Sequence, residues 1–484
     1  MALQDTLGSF TFTENISQLP FKSPLVGYAL LLFGIYLFFY ATRFPPTKNH
    51  NSPPQLTLSS GKIAQYLFET PFDFLAGGFI ATSSSIFRFR LFQHEVTVVS
   101  GDEARRVFFR EKSLNLYEGF RDLFTIIPKG IDPHALSGIY KRLSAIQRTD
   151  NLKSLLPGLL SECHRKISLW GKEGFLDPCS TVHDVTFQMI IRTVSSYDVA
   201  EDEALVTCLK YFYNILDSSV KPARGLYSWI PGFVAARKLW ASVSLYRVFS
   251  NAVSDRKGSG IRRNDTLQQL LDAGESPKNI VGFMMGLPIA GARSTGTIAQ
   301  WLLIFLSYER QWSSMICREI ESLINIHSSS KESKQSIINA LSIIPLISWE
   351  SKTPQLDLCI RETLRRAQPH TAVRKNLGPE LTVSLYTIPS NSLVLYPFSD
   401  SLLNSEIYPN PLQWDIHWLG LATLTMKILV AYVLMRFDLS LVDEKGHRIE
   451  GVPVPDWNDF LTCRPRGDCG VEFSERSCFG RTDI

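Results

Sequence analysis

The stretch that most constrains this chain is Leu356 to Pro369, LDLCIRETLRRAQP. Leu356, Ile360 and Leu364 recur every four residues, so they share one face of a helix that Pro369 ends. Glu362 and Arg365 lie three apart, close enough on that helix for carboxylate to meet guanidinium. Exposed pairs of this kind are common and contribute about 0–1 kcal/mol. Spacing alone therefore makes this an ordinary surface pair. The order of the motifs downstream says more. Arg374 comes nine residues after Arg365, then a strand-like run, then Ile388-Pro389-Ser390-Asn391-Ser392-Leu393-Val394. Asn404, Tyr408, Pro411, Trp414 and Asp415 come next.

That order resembles the cytochrome P-450 family, the haem-thiolate monooxygenases. There, E-T-L-R with a proline soon after marks a helix under the haem. I-P-x-x-(T/S)-x-V and N-x-x-x-(Y/F)-x-x-P-x-x-(F/W)-D come after it in the same sequence. The resemblance implies that Glu362 and Arg365 lock the haem scaffold and that Arg374 approaches a haem propionate. It further implies a mainly α fold with a small β-region, haem b as cofactor, and insertion of one atom of O2 into a lipophilic molecule. The implied electron source is NADPH through a membrane-bound cytochrome reductase.

Composition is compatible with such a fold. With 484 residues, 45% of them hydrophobic, there is ample material for a large core. A net charge of +4 without a basic run points away from nucleic acid. The eight cysteines are scattered, with no CxxC, which suits reduced, mostly buried thiols. Residues 1–24 are mixed and polar. An uncharged apolar run over residues 25–42 then approaches the length needed to span a bilayer, and Arg43, Pro45 and Pro46 come directly after it. The pattern predicts a transmembrane anchor at 25–42 and a proline-containing linker at 43–55, and the resemblance implies a catalytic domain at 56–484. Positive charge after the span predicts a cytosolic body and a lumenal tail, and the resemblance to microsomal members of the family implies the endoplasmic reticulum membrane. In that tail Asn15 begins an acceptor triplet for glycosylation.

From Leu56 the chain reads as globular. IFRFRLFQHEVTVVSG alternates like a β-hairpin, and a helix opens at SGDEARRVFF with Ser100 or Asp102 as its cap. The W-x-x-x-R pattern that contacts a propionate in the resembled family is absent; Lys141, Arg142 and Arg148 are substitutes, or simply a solvated helix face. Residues 254–264 read as a charged loop. A long apolar helix then carries Ala290-Gly291-Ala292-Arg293-Ser294-Thr295-Gly296-Thr297. This resembles the family's oxygen-activation motif, A-G-x-(D/E)-T-(T/S), of the fungal and sterol-demethylase-like kind. Small residues let the helix run close over the haem, and a hydroxyl relays protons. The plainer reading is that glycine and alanine permit close helix packing. Arg293 stands where the family carries an acid and Ser294 where it carries threonine, so Thr295 is an alternative hydroxyl.

One piece of the pattern is missing. The resemblance implies F-x-x-G-x-R-x-C-x-G after Trp414-Asp415, with the cysteine as axial thiolate. Here Trp418 stands two before Gly420, in the cysteine's place, and an apolar helix over Leu421–Phe437 begins at once. Indole cannot ligate iron. His417, Cys463 and Cys469 are the remaining candidates, each with a plain structural reading. No metal ligand is therefore assigned. Two explanations fit: a skipped coding segment, or a haem-deficient, catalytically dead relative.

Overall fold

The computed structural model describes residues 51–124, 149–218, 233–328, 336–368, 370–414, 424–459 and 463–476. Two compact units divide between Ser52 and Pro53. The expected tail, anchor and Asn15 lie outside the described residues, as do Lys141, Arg142, Arg148, Pro369, His417 and Trp418. No helix among the described residues is long and apolar enough to cross a membrane.

Helices α1 (Ser60–Glu69) and α2 (Pro71–Thr82) lead into the predicted hairpin, β1 (Ile86–Leu91) and β2 (His94–Val99). Helix α3 (Asp102–Arg110) is next. Neither Ser100 nor Asp102 caps it. The cap is Gly101, whose φ of 91° suits glycine, and the Ser100 hydroxyl donates instead to Ser85 O. Then come β3 (Leu114–Asn115), α4 (Leu116–Phe124), α5 (Thr149–Ser168), β4 (Glu173–Leu176), α6 (Pro178–Val194), α7 (Tyr197–Glu201) and α8 (Glu203–Ser218).

Helix α9 (Phe233–Ser259) corrects the expected loop at 254–264, whose first half is helical. Arg256 explains this. It is 4% exposed and donates from Nη1 and Nη2 to Asp265 and from Nη2 to Asp198, which holds the last turn in place. Helices α10 (Thr266–Asp272), α11 (Pro277–Tyr308), α12 (Arg310–His327), α13 (Ile337–Ser342), α14 (Leu346–Ser351) and α15 (Pro354–Ala367) complete the central body. The sheet elements β5 (Thr371–Asn376), β6 (Leu381–Val383), β7 (Tyr386–Ile388) and β8 (Leu393–Pro397) then precede α16 (Ser399–Leu402). The chain closes with α17 (Leu424–Arg436), β9 (Phe437–Val442) and β10 (Gly470–Glu475).

One sheet has the order β1-β2-β8-β5-β3, with only β2 and β8 parallel among its pairs; a second is β4-β10-β9, and β6-β7 form a third. The largest core joins α5, the second half of α11, α12, α15 and α17. Within α17 every residue from Thr425 to Met435 is buried, so the helix is a core element, as its all-round apolarity predicts. Its one buried cation, Lys427, donates to Trp349 O, Thr353 Oγ1 and Asp357 at 2.7–2.9 Å. A buried ammonium needs such partners.

Candidate active site

Helix α15 begins with Pro354 in its first turn, where a missing N–H costs nothing. Glu319 of α12 accepts from the free N–H groups of Gln355 and Leu356. The helix is thus fixed at its start. Its Glu362–Arg365 pair is not on the surface: the two residues are 2% and 5% exposed. Arg365 Nε and Nη2 donate to the two Glu362 oxygens at 2.7 and 2.6 Å. The guanidinium also donates to Leu402 O, Pro411 O and Gln413 O, and Tyr408 covers its face at 4.5 Å. The Asn-to-Trp segment, 404–414, is therefore held by arginine through backbone carbonyls. Trp414 adds a bond from its indole to Thr363 Oγ1 and stacks on Phe305 of α11. Sequence reasoning found the pair, but not these acceptors.

Arg374 lies in β5, paired with Val394 of β8. Its guanidinium rests over Phe108 and Phe109 at 5.2 and 5.8 Å, and Nη1 donates to Leu114 O. Gly119 of α4 packs directly on the Arg374 backbone; a Cβ there would come within 2.7 Å of it.

The stretch Ala290–Thr297 sits inside α11. Gly296 faces α6, where a Cβ would meet Thr186 Oγ1 at 3.0 Å, and Gly291 faces Ile190 at 3.6 Å. Both glycines thus serve the close packing of α11 on α6. Ala290 lies one turn before Ser294. Ser294 is exposed and its carbonyl accepts from Gln368 Nε2 at 3.3 Å, which ties the stretch to the end of α15. Thr295 is half-buried, one residue or about 100° further round the helix. Ser294 and Thr295 therefore do not present their hydroxyls in the same direction.

Cys463 is buried, its carbonyl accepts from Trp301 Nε1 at 2.6 Å, and burial pushes its thiol pKa up. Cys469 is half-buried ahead of β10, with its thiol pushed up to about 12 by burial. Neither has the depressed pKa of a ready thiolate. His370, just after α15, is pushed down to about 4 by burial and is neutral at ordinary pH. It lines a small hollow with Phe72, Leu75, Thr371, Pro397 and Trp457. No group of metal-binding side chains occurs among the described residues.

The fit to haem b divides in two. The buried Glu362–Arg365 lock, the cation at Arg374 and the exposed Ser294 on α11 suit a haem scaffold. The axial donor is not among the described residues, and residues 415–423 contain no cysteine.

Residues 173–420 match the sequence profile of the Cytochrome P450 family. The chain is 24% identical over 408 residues to Cytochrome P450 monooxygenase AacuE of Aspergillus aculeatus, covering 74% of this chain and 80% of that protein. It is 24% identical to Cytochrome P450 monooxygenase nsrP of Aspergillus novofumigatus, with 74% and 77% covered. To the lanosterol 14-alpha demethylase of Bos taurus it is 23% identical, with 75% and 73% covered. Its fold is similar to that of the retinoic acid-bound cyanobacterial CYP120A1, with a TM-score of 0.66 at 18% identity, over 88% of this chain and 99% of the other. The fold, the order of its motifs and these relatives make the chain a member of the cytochrome P450 family and an enzyme of its monooxygenase class.

Proposed function

We propose that this enzyme inserts one oxygen atom from O2 into a lipophilic small molecule of terpenoid, sterol or fatty-acid-like character, taking electrons from NADPH through a cytochrome reductase. Haem b, when bound, supplies the oxygen-activating redox chemistry. The chain's own residues supply position and protons. Glu362 and Arg365 hold the segment before Trp414 in one place. Arg374 offers a cation for a propionate, in a charge-assisted bond. Ser294 holds a proton at Oγ on the open side of α11 and passes it on. Thr295 is a weaker choice, since it is half-buried and lies four residues, about one helical turn, after Gly291, which faces α6. The residues at 25–42 serve as an anchor that keeps the catalytic domain, 56–484, at the cytosolic face of the endoplasmic reticulum, where apolar substrates partition, and Asn15 lies on the lumenal side.

The observation that carries the reading is the buried Glu362–Arg365 lock on Leu402, Pro411 and Gln413. The test is to sequence the transcript across the codons for Asp415 to Gly420, and to record the carbon monoxide difference spectrum of the reduced, haem-loaded protein it encodes. A cysteine-bearing loop and a thiolate-type spectrum are expected. A transcript that encodes the chain as written, together with no thiolate-type spectrum, would overturn the reading.

A further inference from the structure

Arg366 sits directly after Arg365 and is fully buried, with no exposed surface. Its Nη1 reaches Pro411 O only at 3.5 Å, the outer limit of a hydrogen bond. Its Nε and Nη2 have no acceptor among the described residues. The neighbouring Glu362 carboxylate stabilises the cation through space, but its two oxygens are hydrogen-bonded to Arg365 and neither is bonded to Nε or Nη2 of Arg366. The other ionisable group beside it is the Cys463 thiol, which burial keeps protonated. Burial and the adjoining Arg365 push the Arg366 pKa down to about 10, so the side chain remains a cation at neutral pH.

A buried charge ordinarily has a partner. The open edge of this guanidinium is the one formed by Nε and Nη2, whose two N–H bonds run parallel and match the oxygens of a carboxylate. Its place in the fold is equally telling. Trp457 Nε1 donates to Arg366 O at 2.9 Å, and Trp301 Nε1 to Cys463 O at 2.6 Å. Two residues on, Gln368 reaches the carbonyl of Ser294. Arg366 thus lies where the end of α15 meets the segment before β10, two residues before the Gln368 that ties α15 to Ser294 of α11.

We propose that Arg366 is an anion-binding residue that takes a carboxylate side-on through Nε and Nη2, offered either by a haem propionate or by the acid group of a lipophilic substrate. The first source rests on the proposed function; the second requires no bound haem.

Two pairs of probes separate the sources. Hemin is compared with its dimethyl ester, and dodecanoic acid with dodecanol. Each is titrated against tryptophan fluorescence in the wild type and in Arg366→Met and Arg366→Lys. The wild type binds the acid of one pair at least about tenfold more tightly than its neutral counterpart, Arg366→Met makes no distinction, and Arg366→Lys retains part of it. Preference for hemin assigns the propionate; preference for dodecanoic acid assigns the substrate. Without ligand, Arg366→Met melts no lower than the wild type, because it has lost a buried charge with two unmatched donors.

Equal binding of acid and neutral probe in both pairs, or binding of none of the four, overturns the proposal. So does a ligand-free Arg366→Met that melts well below the wild type, since Arg366 then has a partner within the chain. If neither hemin nor its ester binds but the dodecanoic acid preference stands, the haem reading fails and this one survives. If hemin binds with no acid preference anywhere, the reverse holds.

Discussion

Two buried ion networks can be set side by side. In the first, at α15, Arg365 meets Glu362 three residues away and then reaches carbonyls 37, 46 and 48 positions further along the chain. In the second, at the end of α9, Arg256 meets Asp265 nine residues on and Asp198 58 residues back. Asp265 also accepts from Tyr197 N and Gln268 N, so it joins α7, α9 and α10. The first network grips the end of α16 and the loop after it; the second ties helix ends to one another. A guanidinium whose donors point at loop carbonyls fixes a segment that has no ladder of its own. This is what a cofactor scaffold needs, and a helical body can do without it.

Removing one partner of each network tests the comparison. Arg365→Leu should destabilise most, by about 3–5 kcal/mol, because it takes a two-bond guanidinium partner from a buried carboxylate and frees three carbonyls. Urea unfolding reads this, and Glu362→Leu/Arg365→Leu together should cost less than the sum of the two. A loss under about 1 kcal/mol, as at an exposed pair, would contradict the lock. Arg256→Met should cost about 2–3 kcal/mol in the same assay, somewhat below the range for breaking a buried pair. Asp265 keeps its backbone donors, and Asp198 is open to water. Equal losses at the two arginines would erase the distinction.

A pH titration is the next test. His370 has its folded pKa lowered to about 4 from an unfolded value near 6.5. The unfolded chain binds the proton more readily between those values, so stability is present above about pH 6.5 and is lost as the pH falls toward 4. Some solvent exposure trims the effect to about 2 kcal/mol. His370→Gln should flatten this limb of the stability profile, and an unchanged limb would assign it elsewhere. The smallest effects belong to α11. Gly291→Ala should stabilise by about 0.5–1 kcal/mol, since its Cβ enters ordinary contact with Ile190. Gly296→Ala should gain nothing, because its Cβ crowds Thr186. Thermal melts of the two variants should therefore diverge.

The local features were legible. The hairpin, α11, α15 and the burial of α17 all come from periodicity, and motif order led to the family. What stayed hidden was long-range. The sequence marks Glu362–Arg365 as a pair, but three apart looks the same on a surface as in a core. Arg365 and Arg366 look alike in the chain, yet one is saturated and the other is not. The charged run at 254–259 looked like a loop because its stabilising partner, Asp198, lies 58 residues away. Gly101 displaced Ser100 as cap because the serine hydroxyl found Ser85 O.

Lys427 carries a consequence for how the molecule tolerates change in length. It fastens α17 to Trp349, Thr353 and Asp357, all of them earlier in the chain than Trp414. The register of α17 is therefore set by its own docking, not by the tether that precedes it. Doubling the number of residues in a loop costs only about 0.6 kcal/mol in closure entropy. The nine residues from 415 to 423 could give way to a longer segment, and α17 would still seat on the same three oxygens.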